Sequence, residues 1–156
     1  MNKEITAPVT YLNETFSLKK DLEKKFIQLA EHLYHIFTQK LFEKNGYGSF
    51  DEFLIELGLS APMASKLISV YRTYVVEGKV SLTQLAKARS WESLYYVRSL
   101  AKDEKSANEL AEKAEVMSQH DMRLLTNGEE ECSRHEWYTY RACAKCGARE
   151  KVYDTP

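Results

Sequence analysis

The sequence contains few residues that could cross-link or interrupt the chain. Its 156 residues include only three cysteines, three prolines and six glycines. All three cysteines lie after residue 131, so disulfide bonds cannot hold the preceding part of the chain together. Because 44% of the residues are hydrophobic, a chain of this length can instead bury an apolar core. The composition favours one globular domain with a distinct C-terminal part.

A long hydrophobic segment is also missing. No run approaches the roughly 18 apolar residues of a membrane span. Residues 1–16 lack the apolar stretch of a signal peptide. We therefore expect a cytoplasmic protein without membrane association.

Motifs of the common catalytic sites have no match in this chain. It contains no glycine-rich phosphate loop, no H-E-x-x-H sequence and no nucleophile elbow. The acidic residues recur with the period of solvent-exposed helix faces instead of clustering. The sequence therefore predicts that the protein is not an enzyme.

The net charge of −1 argues against strong non-specific binding to nucleic acids by the protein as a whole. Basic residues are nevertheless concentrated between Gly58 and Leu100, where six of them accompany two acidic residues. The six are Lys66, Arg72, Lys79, Lys87, Arg89 and Arg98. This block is a candidate interaction surface, although a solvated helix face has the same pattern.

A strong helical period follows a polar start. Residues 1–16 include Pro8 and show no period, so we expect a flexible N-terminal arm. From residue 17 to 44, apolar residues recur at spacings of three and four and predict one long amphipathic helix. They are Leu18, Leu22, Phe26, Leu29, Leu33, Phe37 and Leu41. Such a helix suits an internal core or a homodimer contact.

Two histidines lie three residues apart on this predicted helix. His32 and His35 could form a metal-binding pair. No further ligand side chains are organised around them, which favours surface or half-buried imidazoles.

The segment from Ser49 to Val75 predicts two helices joined by a tight turn. Ser49 and Glu52 have the spacing of a capping box at the start of the first helix. Gly58 can adopt the left-handed conformation that ends this helix, and Ser60 is a suitable N-cap for the second. Pro62 then falls in the first turn of the second helix, where a missing N–H is tolerated.

The second helix has two different faces. The inward face is expected to consist of Ala64, Leu67, Ile68 and Tyr71. The outward face is expected to consist of Met63, Ser65, Lys66, Ser69 and Arg72.

These features resemble the helix-turn-helix of the ParB and KorB partition proteins. The resemblance rests on the glycine turn, on the serine that follows it, and on the run Ala64-Ser65-Lys66-Leu67. Residues 76–125 resemble the helical part that follows this motif, beginning with a GK-x-S phrase. The preceding GY-x-SF-x-x-F phrase is similar to small phage and mobile-element proteins. The resemblance implies an all-α body that binds double-stranded DNA.

In a helix-turn-helix of this kind, the outward face of the second helix enters the major groove. The residues expected on phosphates or base edges are Ser65, Lys66, Ser69, Arg72, Lys87 and Arg89, with Arg141 and Lys145 from the C-terminal part. Ala61, Pro62 and Met63 cannot form the bidentate hydrogen bonds that discriminate base pairs. A non-catalytic adaptor or inhibitor that binds a protein of the host or phage nucleic-acid machinery is therefore the alternative.

Four serines are expected to begin the later helices. They are Ser81, Ser90, Ser106 and Ser118. This series of helix-starting serines predicts an all-helical domain over residues 17–125. An acidic linker is expected over residues 126–131.

The last part of the chain has the spacing of a zinc site. Cys132, His135, Cys143 and Cys146 form the pattern C-x2-H-x7-C-x2-C. Two ligand pairs of this spacing suit a tetrahedral, structural Zn²⁺. A disulfide is the competing interpretation, and it leaves one of three cysteines unpaired. The sequence thus predicts a mainly α fold: a helix-turn-helix, multi-helix body with a small zinc-bound β-hairpin, or ribbon, over residues 132–156.

Overall fold

The computed structural model describes the backbone of residues 6–127, 138–142 and 149–153, and the side chains of residues 10–126. The described chain is mainly helical, as predicted. Its helices are α1 (Thr6–Thr38), α2 (Leu41–Lys44), α3 (Phe50–Leu57), α4 (Ala61–Tyr71), α5 (Leu82–Leu85), α6 (Trp91–Val97), α7 (Glu104–Val116) and α8 (Gln119–Asn127). A π-helical segment, Arg72–Glu77, extends α4, and a 3-10 turn, Arg98–Leu100, extends α6.

Helix α1 differs from the predicted helix at both ends. It begins at Thr6, so the segment predicted as a flexible arm is helical from that residue onward. Once a helix has formed, each further residue at its end is added at little cost, because it also gains a hydrogen bond. Pro8 lies in the first turn, where its missing N–H has no partner within the helix. The helix ends at Thr38, because Lys40 adopts a left-handed conformation with φ of 51°. This bend starts α2 and buries Phe42.

The buried face of α1 also differs from the predicted stripe. Ile27, Ala30 and Leu33 are buried, whereas Leu18 and Leu22 are exposed. Helix α1 packs mainly against α4, and the residues that it buries lie in its C-terminal half. The N-terminal half continues beyond the core.

Helix α4 lies at the centre of the core. Its buried residues Ala64, Leu67 and Val70 are fully enclosed, and they contact a cluster that includes α1, α6 and α7. In the π-helical extension, the Tyr74 hydroxyl donates a hydrogen bond to the carbonyl oxygen of Leu94 at 2.9 Å. Burial raises the pKa of Tyr74 far above its ordinary value, so this hydroxyl remains a donor.

Most of the predicted caps are present. The hydroxyls of Ser49, Ser60 and Ser81 accept hydrogen bonds from backbone N–H groups three residues ahead, at 3.1, 3.4 and 3.2 Å. Ser118 does the same for Asp121 at 3.1 Å. These bonds satisfy N–H groups that have no partner within the helix.

Two predicted caps are corrected. The side chain of Ser90 does not cap α6; instead Glu23 of α1 accepts the hydrogen bond from the Trp91 N–H at 2.8 Å. Ser106 is the third residue of α7, and Asp103 is its N-cap. The two residues form a reciprocal capping box: the Asp103 carboxylate accepts a hydrogen bond from the Ser106 N–H, and the Ser106 hydroxyl accepts one from the Asp103 N–H. The helix therefore begins three residues earlier than predicted.

Two strands lie in the C-terminal part. Strand β1 (Tyr138–Ala142) pairs antiparallel with β2 (Arg149–Tyr153), and Tyr138 is opposite Tyr153. Cys132, His135, Cys143 and Cys146 lie outside the described residues, so the zinc-bound hairpin stays a prediction.

No single helix within residues 6–127 is long and apolar enough to cross a membrane. Helix α3 and the extended α4 are together long and apolar enough for a membrane span, but the pair is sharply bent.

Candidate nucleic-acid interface

A three-residue turn sets the angle between α3 and α4. The two helices, with α4 taken to Glu77, are bent by 105°. Gly58 has φ of 73°, a conformation that costs a residue with a Cβ about 1 kcal/mol or more. The N–H of Leu59 donates to the carbonyl oxygen of Leu54 at 3.0 Å, which closes the end of α3. The turn therefore directs one side of α4 toward solvent.

The outward face of α4 is polar. Ser65 and Arg72 are exposed and Ser69 is half-buried, and all three line one cleft of about 430 Å³. Their spacings of four and three residues place them on one side of the helix. Met63, which the sequence assigned to this face, is half-buried and lines a different cleft with Phe26. The structure corrects the predicted position of Met63. Its apolar side chain packs against the core, which removes part of its surface from water.

Two cations flank the outward face of α4. The Arg98 guanidinium lies 3.8 Å from the centre of the Tyr95 ring, and the Lys66 ammonium lies 5.5 Å from it. Arg98 Nη1 also donates to the carbonyl oxygen of Tyr95 at 2.7 Å. Cation–π contacts and this hydrogen bond hold both charges near α4. We call Ser65, Lys66, Ser69, Arg72, Tyr95 and Arg98 the α4–α6 surface.

The basic and aromatic pattern continues beyond this surface. The rings of Tyr95 and Tyr96 lie 5.9 Å apart, and the Arg123 guanidinium lies 4.6 Å from the centre of the Tyr96 ring. Arg98 and Arg123 are not among the site residues that the sequence predicted. Arg98 belongs to the basic block, so its position near α4 could have been suspected, but Arg123 comes from α8 and needed the fold.

The opposite border of the cleft is less basic. Asp51 and Phe50 of α3 and Phe37 of α1 also line it. A carboxylate at this border disfavours a phosphate there, because like charges repel. An anionic ligand on α4 is therefore directed toward Arg72 and Arg98.

The structure separates Lys87 and Arg89 from the α4–α6 surface. They line a cleft of about 510 Å³ together with Lys19 and Lys20 of α1, and Glu115 lines it too. Lys87, Lys20 and Lys24 line a neighbouring cleft of about 490 Å³. The sequence-predicted residues thus form two basic regions, and the α1 lysines of the second region were missed because the helical period alone does not reveal which helix packs beside α5.

Arg89 has structural contacts as well. Its Nη1 donates to the carbonyl oxygen of Val116 at 3.2 Å, and its backbone N–H donates to that of Ala114 at 2.9 Å. A cation at the C-terminus of α7 complements the partial negative charge of the helix end. Part of the donor capacity of Arg89 is therefore already used within the fold.

The two histidines of α1 are not part of a metal cluster in the described residues. His35 Nε2 lies 3.5 Å from the Tyr71 hydroxyl, and Nδ1 lies 3.3 Å from Gln39 Nε2. Within the described part of the chain, no group of three or more potential metal ligands comes together. Arg141 is in β1, paired with Glu150, and Lys145 lies outside the described residues.

Comparisons of the chain with protein-family models, curated proteins and solved structures found no match.

Proposed function

We propose that the protein binds double-stranded DNA and serves a phage or mobile element in regulation, segregation or replication. The observation that carries the proposal is the exposed polar face of α4, which follows α3 after a three-residue turn and a bend of 105°. Two helices at about this angle, with a glycine in the turn, are typical of a helix-turn-helix. In that motif the second helix lies in the major groove.

The side chains of the α4–α6 surface suit this geometry. Ser65, Ser69 and Arg72 would face the groove, where hydroxyl and guanidinium groups bind base edges or phosphates. Lys66 and Arg98 flank the helix and would contact the backbone on one side. Only one of the three groove-facing side chains is a cation, so backbone contacts supply most of the affinity and binding depends strongly on salt.

The second basic region offers further phosphate contacts. Lys87 lines its clefts with Lys19, Lys20 and Lys24, and Arg89 lies beside them. Residues Arg141 and Lys145 of the C-terminal part remain proposed contacts on the strength of their charge alone.

We also propose a structural Zn²⁺ in the C-terminal part. Three thiolates and one imidazole, from Cys132, Cys143, Cys146 and His135, are a donor set that Zn²⁺ favours. A site with four protein ligands has no open position for a reacting water, so the metal would stabilise the short hairpin. This assignment agrees with the proposal that the protein is not an enzyme.

The test is a fluorescence-anisotropy titration with labelled duplexes of random and genomic sequence at two salt concentrations. The double variant Lys66→Gln with Arg72→Gln keeps most of the side-chain length and removes two charges beside α4. The affinity of this variant for duplex DNA should be at least about tenfold lower than that of wild type. The slope of the logarithm of its binding constant against the logarithm of the salt concentration should become less steep by about two. Lys105→Gln is the control for loss of a surface charge, since Lys105 is exposed on α7 and is not part of the α4–α6 surface.

Wild-type protein that does not bind duplexes even at low salt would refute the proposal. Equal losses in the α4 variant and in Lys105→Gln would show that the contact is only diffuse charge. A preference for one genomic duplex, removed by Ser65→Ala with Ser69→Ala, would indicate that α4 recognises bases.

A second candidate function has its own observation. Ile55 is 80% exposed and Leu57 is 47% exposed on α3. Apolar side chains on this helix cannot bind phosphate, and they favour a protein partner. If duplex binding is absent, a non-catalytic adaptor or inhibitor of a protein in the nucleic-acid machinery becomes the preferred function, with α3 as the contact.

A further inference from the structure

The N-terminal half of α1 has an apolar stripe that the described core does not cover. Tyr11, Leu18 and Leu22 are 71%, 69% and 49% exposed. Spacings of seven and four residues place them on one face of the helix. Leu12 lies beside this face and is also mostly exposed. We call Tyr11, Leu18 and Leu22 the α1 stripe.

The stripe leads into a cleft at the body. Leu22 lines a cleft of about 580 Å³ together with Phe26, Met63 and Trp91. The exposed stripe and the apolar lining of this cleft therefore form one continuous surface. Contiguous exposed apolar surface of this kind marks an interaction site in soluble proteins.

Two opposite charges flank the stripe on the same side. Glu14 lies four residues before Leu18, and Lys25 lies three residues after Leu22. They are eleven residues apart, which is about three helical turns, so they share one side of α1. Both are exposed, and neither forms an ion pair with another described residue.

We infer that the α1 stripe is a homodimer interface, in which α1 pairs antiparallel with α1 of a second copy of this chain. Leu18 packs against Leu22 of the partner subunit, and the two-fold axis repeats this contact. In this register Glu14 comes beside Lys25 of the partner subunit. In a parallel, in-register pair, Glu14 and Lys25 of the partner subunit would instead lie eleven residues apart along the helices, about 16 Å, and could not pair.

The same register gives the cleft an occupant. If Leu18 is level with Leu22 of the partner subunit, then Tyr11 of the partner subunit is level with Leu29, next to Phe26. An aromatic ring there would leave water and contact the apolar lining of the cleft. The stripe, the two charges and the cleft thus fit one partner, a second copy of the same chain.

The proposal does not depend on DNA binding, and its test uses none. Sedimentation equilibrium of the full-length chain over a range of concentrations measures the dissociation constant of the dimer. Leu18→Asp with Leu22→Asp should abolish dimerisation and leave the helical circular dichroism unchanged, because both side chains are exposed in the single chain. Ile55→Asp is the matched control: it makes the same chemical change at an exposed position on α3 and should not alter the dimer.

Charge reversal tests the antiparallel register. Glu14→Lys alone and Lys25→Glu alone should each raise the dissociation constant about threefold to tenfold, since each makes both symmetric pairs repulsive. The combination of the two should restore it to within about twofold. In a parallel, in-register dimer, Glu14→Lys and Lys25→Glu would each leave the dissociation constant nearly unchanged, because positions 14 and 25 of the two subunits would not be in contact.

Three results would overturn the inference. A wild-type chain that is monomeric at all concentrations would mean that something else covers the stripe. A dimer that survives Leu18→Asp with Leu22→Asp would place the interface elsewhere. Failure of the double charge reversal to restore dimerisation would exclude the antiparallel pairing.

Discussion

The carboxylate of Glu23, on the long first helix, accepts a hydrogen bond from the backbone N–H of Trp91 at 2.8 Å. The two residues are 68 positions apart in the chain. Glu23 is only 6% exposed, and Lys19, one turn earlier, forms an ion pair with it. A side chain of α1 thus caps α6 and attaches it to the first helix.

Replacing this carboxylate should destabilise the fold. Glu23→Ala leaves the Trp91 N–H without its partner, and we expect a loss of about 1–3 kcal/mol in the free energy of unfolding. Glu23→Gln retains an acceptor oxygen and should lose less. Urea unfolding followed by circular dichroism measures both, with the exposed Glu109→Ala as the control. If Glu23→Ala and Glu109→Ala unfold at the same urea concentration, the cap has no energetic role.

Gly78 should tolerate no side chain. A Cβ at this position would lie 2.5 Å from the Cβ of Ala107 and 2.9 Å from the carbonyl oxygen of Tyr74. Neither neighbour has flexible atoms that could move aside, so Gly78→Ala should cost about 1–3 kcal/mol. Thermal unfolding measures this cost.

Gly48→Ala is the matched control for this site, because an added Cβ would meet only the end of the long Glu52 side chain, at 3.1 Å. Adding Ala107→Gly to Gly78→Ala should recover part of the loss, since it removes one of the clashing atoms. Equal stability of the two alanine variants would contradict the close packing between α7 and the end of the extended α4.

The capping box of α7 should make stability depend on acid pH. Hydrogen bonds from the backbone and side chain of Ser106 hold the pKa of Asp103 below its ordinary value. A carboxyl with a lowered folded pKa stabilises the protein above its unfolded pKa, and this stabilisation is lost as the pH falls toward the folded pKa. We therefore expect the stabilisation to be complete near neutral pH and to decline below about pH 4.

Asp103→Asn separates titration from capping, because asparagine also caps helices but carries no titratable carboxyl. The difference in unfolding free energy between wild type and this variant should shrink between neutral pH and about pH 2. A constant difference over that range would show that the charge of Asp103 does not contribute.

Zinc should be lost without loss of the helical body. Cys143→Ser with Cys146→Ser removes two of the four predicted ligands, and the purified variant should contain one equivalent of zinc less than wild type. Its helical circular dichroism should be unchanged, because the described helices lie before residue 128. Metal analysis by mass spectrometry measures the zinc content. Zinc retained in full by the double variant would mean that the ligands are misassigned.

Local signals account for the parts of the fold that were predicted. The hydroxyls of Ser49, Ser60 and Ser81 bond N–H groups only three residues ahead, so their role depends on few other parts of the chain. The left-handed Gly58 likewise follows from its position after an apolar period. The polar outward face of α4 was predicted from the same helical period.

The predictions that failed depended on contacts with distant residues. Leu18 and Leu22 fit the helical stripe as well as Leu33 does, yet only Leu33 is buried in the core. Ser90 is a suitable N-cap by type, but Glu23 from α1 takes that role. A period or a residue type does not state which neighbour is present.

The sequence by itself determined that this chain is mainly helical, where most of its helices begin, and which side of α4 is polar. These properties follow from interactions within one or two helical turns. The tertiary structure alone decided that Arg98 lies with Lys66 on the Tyr95 ring, that Lys87 joins the α1 lysines, and that the α1 stripe remains exposed. Those outcomes depend on which helices pack together, and packing joins residues that are far apart in the chain.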